Sequence, residues 1–224
     1  MEYRADVRRC MQHEKDLSDQ LVRSTEQRKN VELSKTMSST FDISDITVGA
    51  PVVSAKGAKA VPLSYNGNPI TWLPDTQTVA YQPSAFQNEE ATRVNLVMRA
   101  SPSAIEALSS LDECMIDVGV SQSERFFGKV LTRDEVIMRY NPCLKKSDKG
   151  YEPTFKAKIN LSGRGKLKCW SMDKTQREAP EAWCGCSAQP RITVRSIWVM
   201  PKEFGCMFEC SDILIDEAGA KCPF

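Results

Sequence analysis

The sequence predicts a mainly β chain with a helical insert (α+β class), its strands forming an antiparallel barrel behind a charged N-terminal helix. Three observations carry this. Residues 154–172 alternate between apolar and cationic positions, residues 101–140 switch to a three-to-four spacing bracketed by capping residues, and short strand-like runs broken by Gly, Pro and Asn lie on both sides of that stretch. A period of two marks a sheet with one face in a core and one in water, whereas a period of 3.6 marks an amphipathic helix.

Residues 2–35 are rich in Glu, Arg, Lys, Gln and Leu and contain no Pro or Gly, which predicts a helix. Tyr3, Val7, Cys10, Leu17 and Leu21 share a seam that Glu14, Ser24 and Arg28 interrupt. A solvated or docking helix and self-association through residues 2–35 both fit that pattern. The domain plan is an extension at 1–40, a β domain at 41–216 with the helical insert at about 101–140, and a short tail at 217–224.

Between residues 41 and 100 the strand-like patches are Phe41–Val48, Val52–Val53, Tyr65, Ile70–Leu73 and Val79–Tyr81, separated by Gly49–Ala50–Pro51, Asn66–Gly67–Asn68–Pro69 and Pro83. Short strands between turn residues predict a meander or barrel. Thr92–Ala100 follows, with Val94, Leu96 and Met98 inward and Arg93, Asn95, Val97 and Arg99 outward. The register of Trp72 and Tyr81 stays open.

Ser101 before Pro102 has the form of an N-cap with proline at the first helical position. Ile105, Leu108, Leu111 and Met115 then form a stripe that stops near Gly119. Ser121 with Glu124, and Thr132 with Glu135, have capping-box spacing and predict two further short helices, the last ending before Asn141–Pro142. Phe126–Phe127 beside Gly128 would dock the insert on the barrel.

Strands return at about 154–161, 166–172, 191–200 and 205–215, with 173–190 as a loop. In the first, Phe155, Ala157, Ile159 and Leu161 face inward and Lys156, Lys158 and Asn160 outward; in the second, Leu167 and Cys169 oppose Lys166, Lys168 and Trp170. These four strands would close a small barrel with those before the insert. Trp198 continues the face of Ile192, Val194 and Ser196, which places it in the core unless a bulge intervenes.

The formal net charge of +1 conceals an asymmetry: Arg125 to Lys174 holds 13 Lys or Arg against 5 Asp or Glu, a net of +8, which leaves −7 elsewhere. Glu203, Glu209, Asp212, Asp216 and Glu217 contribute to the acidic remainder. A basic region on a near-neutral chain suggests a directed anionic contact. With 41% hydrophobic residues in 224, a substantial core is available. The charged start MEYRADVRRCMQHEKD is unlike a signal peptide, and no apolar run reaches the roughly 18 residues a membrane span needs. Nine irregularly spaced cysteines read as reduced thiols. Together these predict a cytoplasmic or nuclear protein.

Catalysis has little support. The single histidine, His13, would have to serve as the base of any Ser-His or Cys-His mechanism, and the acidic pairs Asp112–Glu113 and Asp134–Glu135 sit where exposed helix faces explain them. Cys184-x-Cys186 with Cys169, or Cys206-x-x-x-Cys210 with Cys222, would be the candidate zinc cages; buried or incidental thiols are the favoured reading, and no metal or cofactor is expected. Ser162-Gly163-Arg164-Gly165-Lys166 lacks the glycine interval and following hydroxyl of a nucleotide-phosphate loop. It is either a basic loop touching backbone phosphates or a solvated turn.

A sheet face carrying lysines and an indole suits single-stranded nucleic acid, because ammonium groups hold phosphates and an aromatic ring gives a base a stacking platform. The candidate phosphate contacts are Lys156, Lys158, Arg164, Lys166, Lys168, Arg191 and Arg195, with Trp170 as the stacking residue.

The segments FKAKINL and VRSIWVMPKEFGCMFECSDILI, with the Lys202-Glu203-Phe204-Gly205 turn between a late Ile-Trp strand and a closing strand, resemble the end of single-stranded-DNA-binding replication proteins of large DNA viruses and some phages. The resemblance spans roughly residues 90–215. It implies an OB-type barrel with helical insertions and sequence-tolerant binding of single-stranded DNA in replication, recombination or repair. The acidic C-terminal tail of many such proteins has no counterpart in Asp216–Phe224. The alternative is a structural or adaptor protein of virion type, assembled through its N-terminal helix. DNA and RNA are not distinguished, since no residue pattern marks a contact to the 2′-hydroxyl.

Overall fold

The computed structural model describes residues 46–53, 59–85 and 91–216; the expected helix at 2–35 and the tail at 217–224 lie outside them. The strands are β1 (Ile46–Val48), β2 (Val52–Val53), β3 (Lys59–Tyr65), β4 (Ile70–Trp72), β5 (Gln77–Val79), β6 (Arg93–Arg99), β7 (Thr154–Asn160), β8 (Lys168–Trp170), β9 (Gln176–Arg177), β10 (Ser187–Val199) and β11 (Phe204–Asp216). Between β6 and β7 lie α1 (Pro102–Ser121), α2 (Ser123–Phe127) and α3 (Arg133–Ile137). The chain is thus mainly β sheet with few helices. No helix among the described residues is long and apolar enough to cross a membrane.

β10 and β11 form a long antiparallel hairpin, and β10 also pairs with β3, β4 and β5. β5 pairs with β6 and β6 with β7, both antiparallel, while β7 meets β11 in parallel at Glu209 and Lys158. These pairings return from β11 to β10 as a closed circuit. Inside it lie Leu96, Met98, Phe155, Ile159, Ile192 and Ile213, each less than 2% exposed. β8 extends β11 in parallel, a second departure from a purely antiparallel arrangement.

Val94, Leu96 and Met98 point inward, as do Phe155, Ala157 and Ile159 in β7 and Leu167 and Cys169 around β8. Leu161 does not: β7 ends at Asn160, and the leucine falls in the following turn, 44% exposed. β3 is longer than the single strand-like Tyr65 suggests. Val61 and Leu63 carry an inward alternation that Pro62, exposed between them, conceals. Trp72 is buried against Phe155 at 5.6 Å, whereas Tyr81 is exposed.

The insert follows its caps in two places out of three. Ser101 Oγ accepts from the Ala104 N–H, and Thr132 and Glu135 complete a capping box. Ser121 instead donates back to the Val118 carbonyl at 3.0 Å, and α1 runs through Gly119. Gly119 is a packing residue: a Cβ there would lie 2.6 Å from Phe204 Cζ and 2.7 Å from Val136 Cγ1. Phe204 is the hub of the docking, its ring 6.0 Å from Phe126, 5.8 Å from Phe127 and 5.1 Å from Tyr140.

Candidate nucleic-acid interface

The outer face of the sheet is shaped by two irregularities in the β10–β11 hairpin. On β10, Arg195 is an extra residue between the pairs Val194–Phe208 and Ser196–Met207; on β11, Ser211 is an extra residue between Ile192–Cys210 and Arg191–Asp212. An extra residue on one strand inverts the alternation beyond it. Ile192 and Val194 therefore point inward before the bulge, but Ile197 and Val199 take the inward positions after it. Trp198, which plain alternation places in the core with Ile192 and Val194, turns to the outer face and is half-buried there.

Trp198 sits opposite Gly205 on β11, and its indole lies over that glycine: a Cβ at 205 would meet Trp198 Cζ2 at 2.9 Å and Cε2 at 3.1 Å. The Asn141 carbonyl is also 2.9 Å from that position. Residues 139–141 are held there by the Phe204 N–H donating to the Arg139 carbonyl at 3.0 Å and the Asn141 N–H donating to the Phe204 carbonyl at 2.8 Å. β7 and β11 pair at a single register position. A cleft of about 170 Å³ is bounded on one side by Asn95, Lys156 and Lys158, on the other by Trp198 and Met207, and at its end by Asn141–Pro142–Cys143. Phe208 and Cys206 also line it.

Among the described residues neither Lys156 nor Lys158 forms an ion pair. Partial burial, with Lys156 and Arg93 nearby, weakens the hold of Lys158 on its proton. A phosphate would relieve that crowding of positive charge. Burial pushes the Cys143 thiol well up, and neighbouring Cys206 and Asp112 add to the rise, so its sulfur is a neutral part of the wall. Asp112 also accepts from the Tyr140 hydroxyl at 2.7 Å and the Cys143 N–H at 2.9 Å, which fixes this end of the cleft.

Next along β11, Glu209 binds Arg195 at 3.4 Å and Arg93 at 3.5 Å and accepts from Asn160 at 3.4 Å. A second groove runs past Pro62, Ser64, Arg93, Arg195 and Glu209 and shares Met207 with the cleft. Beyond the Ser211 bulge, Asp212 accepts from Trp170 Nε1 at 3.2 Å and lies 3.9 Å from Arg191, with Lys168 in register. The outward row of β11, Gly205, Met207, Glu209 and Asp212, thereby links the two ends of the face.

The sequence-predicted residues fall into four places. Lys156 and Lys158 enter the cleft, Arg195 joins the Glu209 group, and Lys168, Trp170 and Arg191 gather about Asp212. Arg164 and Lys166 stay in the exposed β7–β8 loop, Lys166 with Glu178 at 3.9 Å. Sequence reasoning missed Trp198, Arg93, Asn95 and the Asn141–Cys143 wall. The doubled pairing of Arg195 and Ser196 against Met207 has no mark in the sequence, and Ile197–Met200 is an unbroken apolar run in which either parity fits.

The cysteines of the two candidate zinc cages take separate roles. Cys206 lines the cleft, Cys210 is buried with its thiol donating to the Asp212 carbonyl, and Cys169 is buried. Cys222 lies outside the described residues. Among the described residues no three Cys, His, Asp or Glu side chains are grouped to hold a metal ion.

The Glu209 carboxylate occupies space that a strand's phosphates would share, so it competes for its two arginines. Exposed ion pairs are worth about 0–1 kcal/mol, which makes the exchange cheap. Glu209→Gln should tighten binding of an anionic strand by up to about fivefold at low salt, read from an anisotropy titration. An unchanged or weaker affinity would show that Glu209 only braces the face.

No protein-family model matches the chain, and no curated protein sequence matches it. Among solved structures, its fold is remotely similar to the single-stranded DNA-binding protein from bacteriophage Enc34 in complex with ssDNA, with 10% identity, a TM-score of 0.44, and coverage of 75% of this chain and 94% of that one. It is likewise similar to gp2.5, a single-stranded DNA binding protein encoded by bacteriophage T7, with 11% identity, a TM-score of 0.42, and coverage of 69% of this chain and 98% of that one.

Proposed function

We propose that this chain binds single-stranded DNA along the outer face of an OB-like barrel, with broad sequence tolerance and without catalysis, in replication, recombination or repair. The observation that supports it most is the placement of Trp198 over Gly205 beside Lys156 and Lys158. A half-buried indole braced on one side by backbone is a ready surface for a base, and the two lysines stand where the flanking phosphates of a stacked nucleotide would lie. Arg195 and Arg93 continue the phosphate track once they exchange Glu209 for the strand. Lys168, Trp170 and Arg191 extend it past Asp212, and Arg164 and Lys166 reach it from their loop. Bases locked in a duplex cannot reach Trp198, so the site favours single strands.

The test is fluorescence anisotropy of a labelled oligo-dT with duplex of matched length as competitor, at low and near-physiological salt. Salt-dependent binding that duplex displaces poorly is expected; absence of binding at low salt would overturn the proposal. With Lys156 and Lys158 both changed to Ala, the slope of log affinity against log salt should flatten by about 1.4, since each phosphate contact to a single strand contributes about 0.7. An unaltered slope would remove these lysines from the interface. Because the proton on Lys158 is held weakly, affinity should also decline on the alkaline side before an ordinary lysine titrates. Removing Lys156 should shift that decline to higher pH; a pH titration of affinity in the Lys156→Ala protein reads it.

A further inference from the structure

We propose that the cleft beside Trp198 receives a single pyrimidine base, thymine before cytosine, within an otherwise sequence-tolerant face. This rests on the single-strand reading above and goes beyond it, because stacking alone accepts every base.

Size is the first argument. A protein cavity of about 150 Å³ admits one benzene ring. The cleft, at about 170 Å³, has room for one base. Its walls suit a ring in shape and character. Trp198 offers an aromatic surface, and Pro142, Met207 and Phe208 supply apolar contacts for a ring edge or methyl group.

The polar rim supplies the second argument. Lys156 and Lys158 can only donate. Asn141 accepts from Lys145 Nζ through its side-chain oxygen, and its amide N–H groups have no partner among the described residues. The side-chain amide of Asn95 has no hydrogen-bond partner among the described residues, while its backbone is committed to Ser84. Donors therefore outnumber acceptors around the opening. Thymine presents carbonyl oxygens and a methyl group, whereas cytosine places an amino donor where thymine has a carbonyl.

The experiment compares equal-length oligo-dT, oligo-dC and oligo-dA as competitors of a labelled mixed-sequence strand. It adds an oligo-dC carrying one thymine and the same strand with an abasic site at that position. Oligo-dT should compete about tenfold better than oligo-dC, the size of one good polar discrimination. The single thymine should recover part of that gain and the abasic site should abolish it. In the Asn95→Ala protein, a change on a half-exposed strand position, the dT-to-dC ratio should fall toward one. Equal affinities for dT and dC in the unaltered protein would overturn the base cleft and leave the single-strand reading intact. A dT preference that persists unchanged in Asn95→Ala would also overturn it. Failure of every oligonucleotide to compete or bind would bring down both.

Discussion

Trp198→Ala lowers the affinity for oligo-dT by about 1–3 kcal/mol, a drop of roughly five- to 150-fold, if the indole over Gly205 is the principal stacking platform. Trp198→Phe keeps most of the affinity, since a smaller ring still presents a face. Trp170→Ala costs less, because the Trp170 N–H is committed to Asp212 and its ring stands away from the cleft residues. The measurement is the same oligo-dT titration, accompanied by a thermal melt to show that each variant is folded. Equal losses at both tryptophans would spread stacking along the whole face, and no loss at Trp198 would remove it from the site.

Phe204→Ala is expected to cost about 3–5 kcal/mol in chemical denaturation, the range for emptying a buried aromatic position. Phe204 is fully buried and touches three other aromatic rings, so its loss opens a cavity between the insert and the sheet. Its backbone bonds to residues 139 and 141 do not need the ring. The folded fraction of the variant should therefore keep a recognisable affinity for single strands. A loss under about 1 kcal/mol would mean that the insert repacks around the void.

Where side chains declare their environment by simple alternation, the sequence is a good guide to this fold. Val94, Leu96 and Met98 on β6, and Phe155, Ala157 and Ile159 on β7, had no competing pattern, and Thr132 with Glu135 specifies its cap locally. Legibility fails where a non-local partner decides. Pro62 hides β3 because its missing N–H is unfavourable within a strand, yet Val61 and Leu63 are drawn into the core by β10. Gly119 reads as a helix stop because glycine often is one, but close approach to Phe204 and Val136 explains it. The candidate site divides in the same way. Lys156 and Lys158 announce themselves by their spacing, while Trp198 depends on a pairing count between two strands that no window of one strand contains.

The bulge at Arg195 also bears on how this surface tolerates change. Substitutions along β10 alter one side chain at a time, but adding a residue beside the bulge changes the parity of everything downstream. One more residue beside Arg195 would send Trp198 toward the interior and Ile197 and Val199 toward water, whereas loss of Arg195 itself would leave Val194 followed directly by Ser196, a regular strand with Trp198 still outward. The binding face is thus inherited as a length as much as a set of residues, and drift in this hairpin is expected to exchange letters freely while holding its ruler fixed.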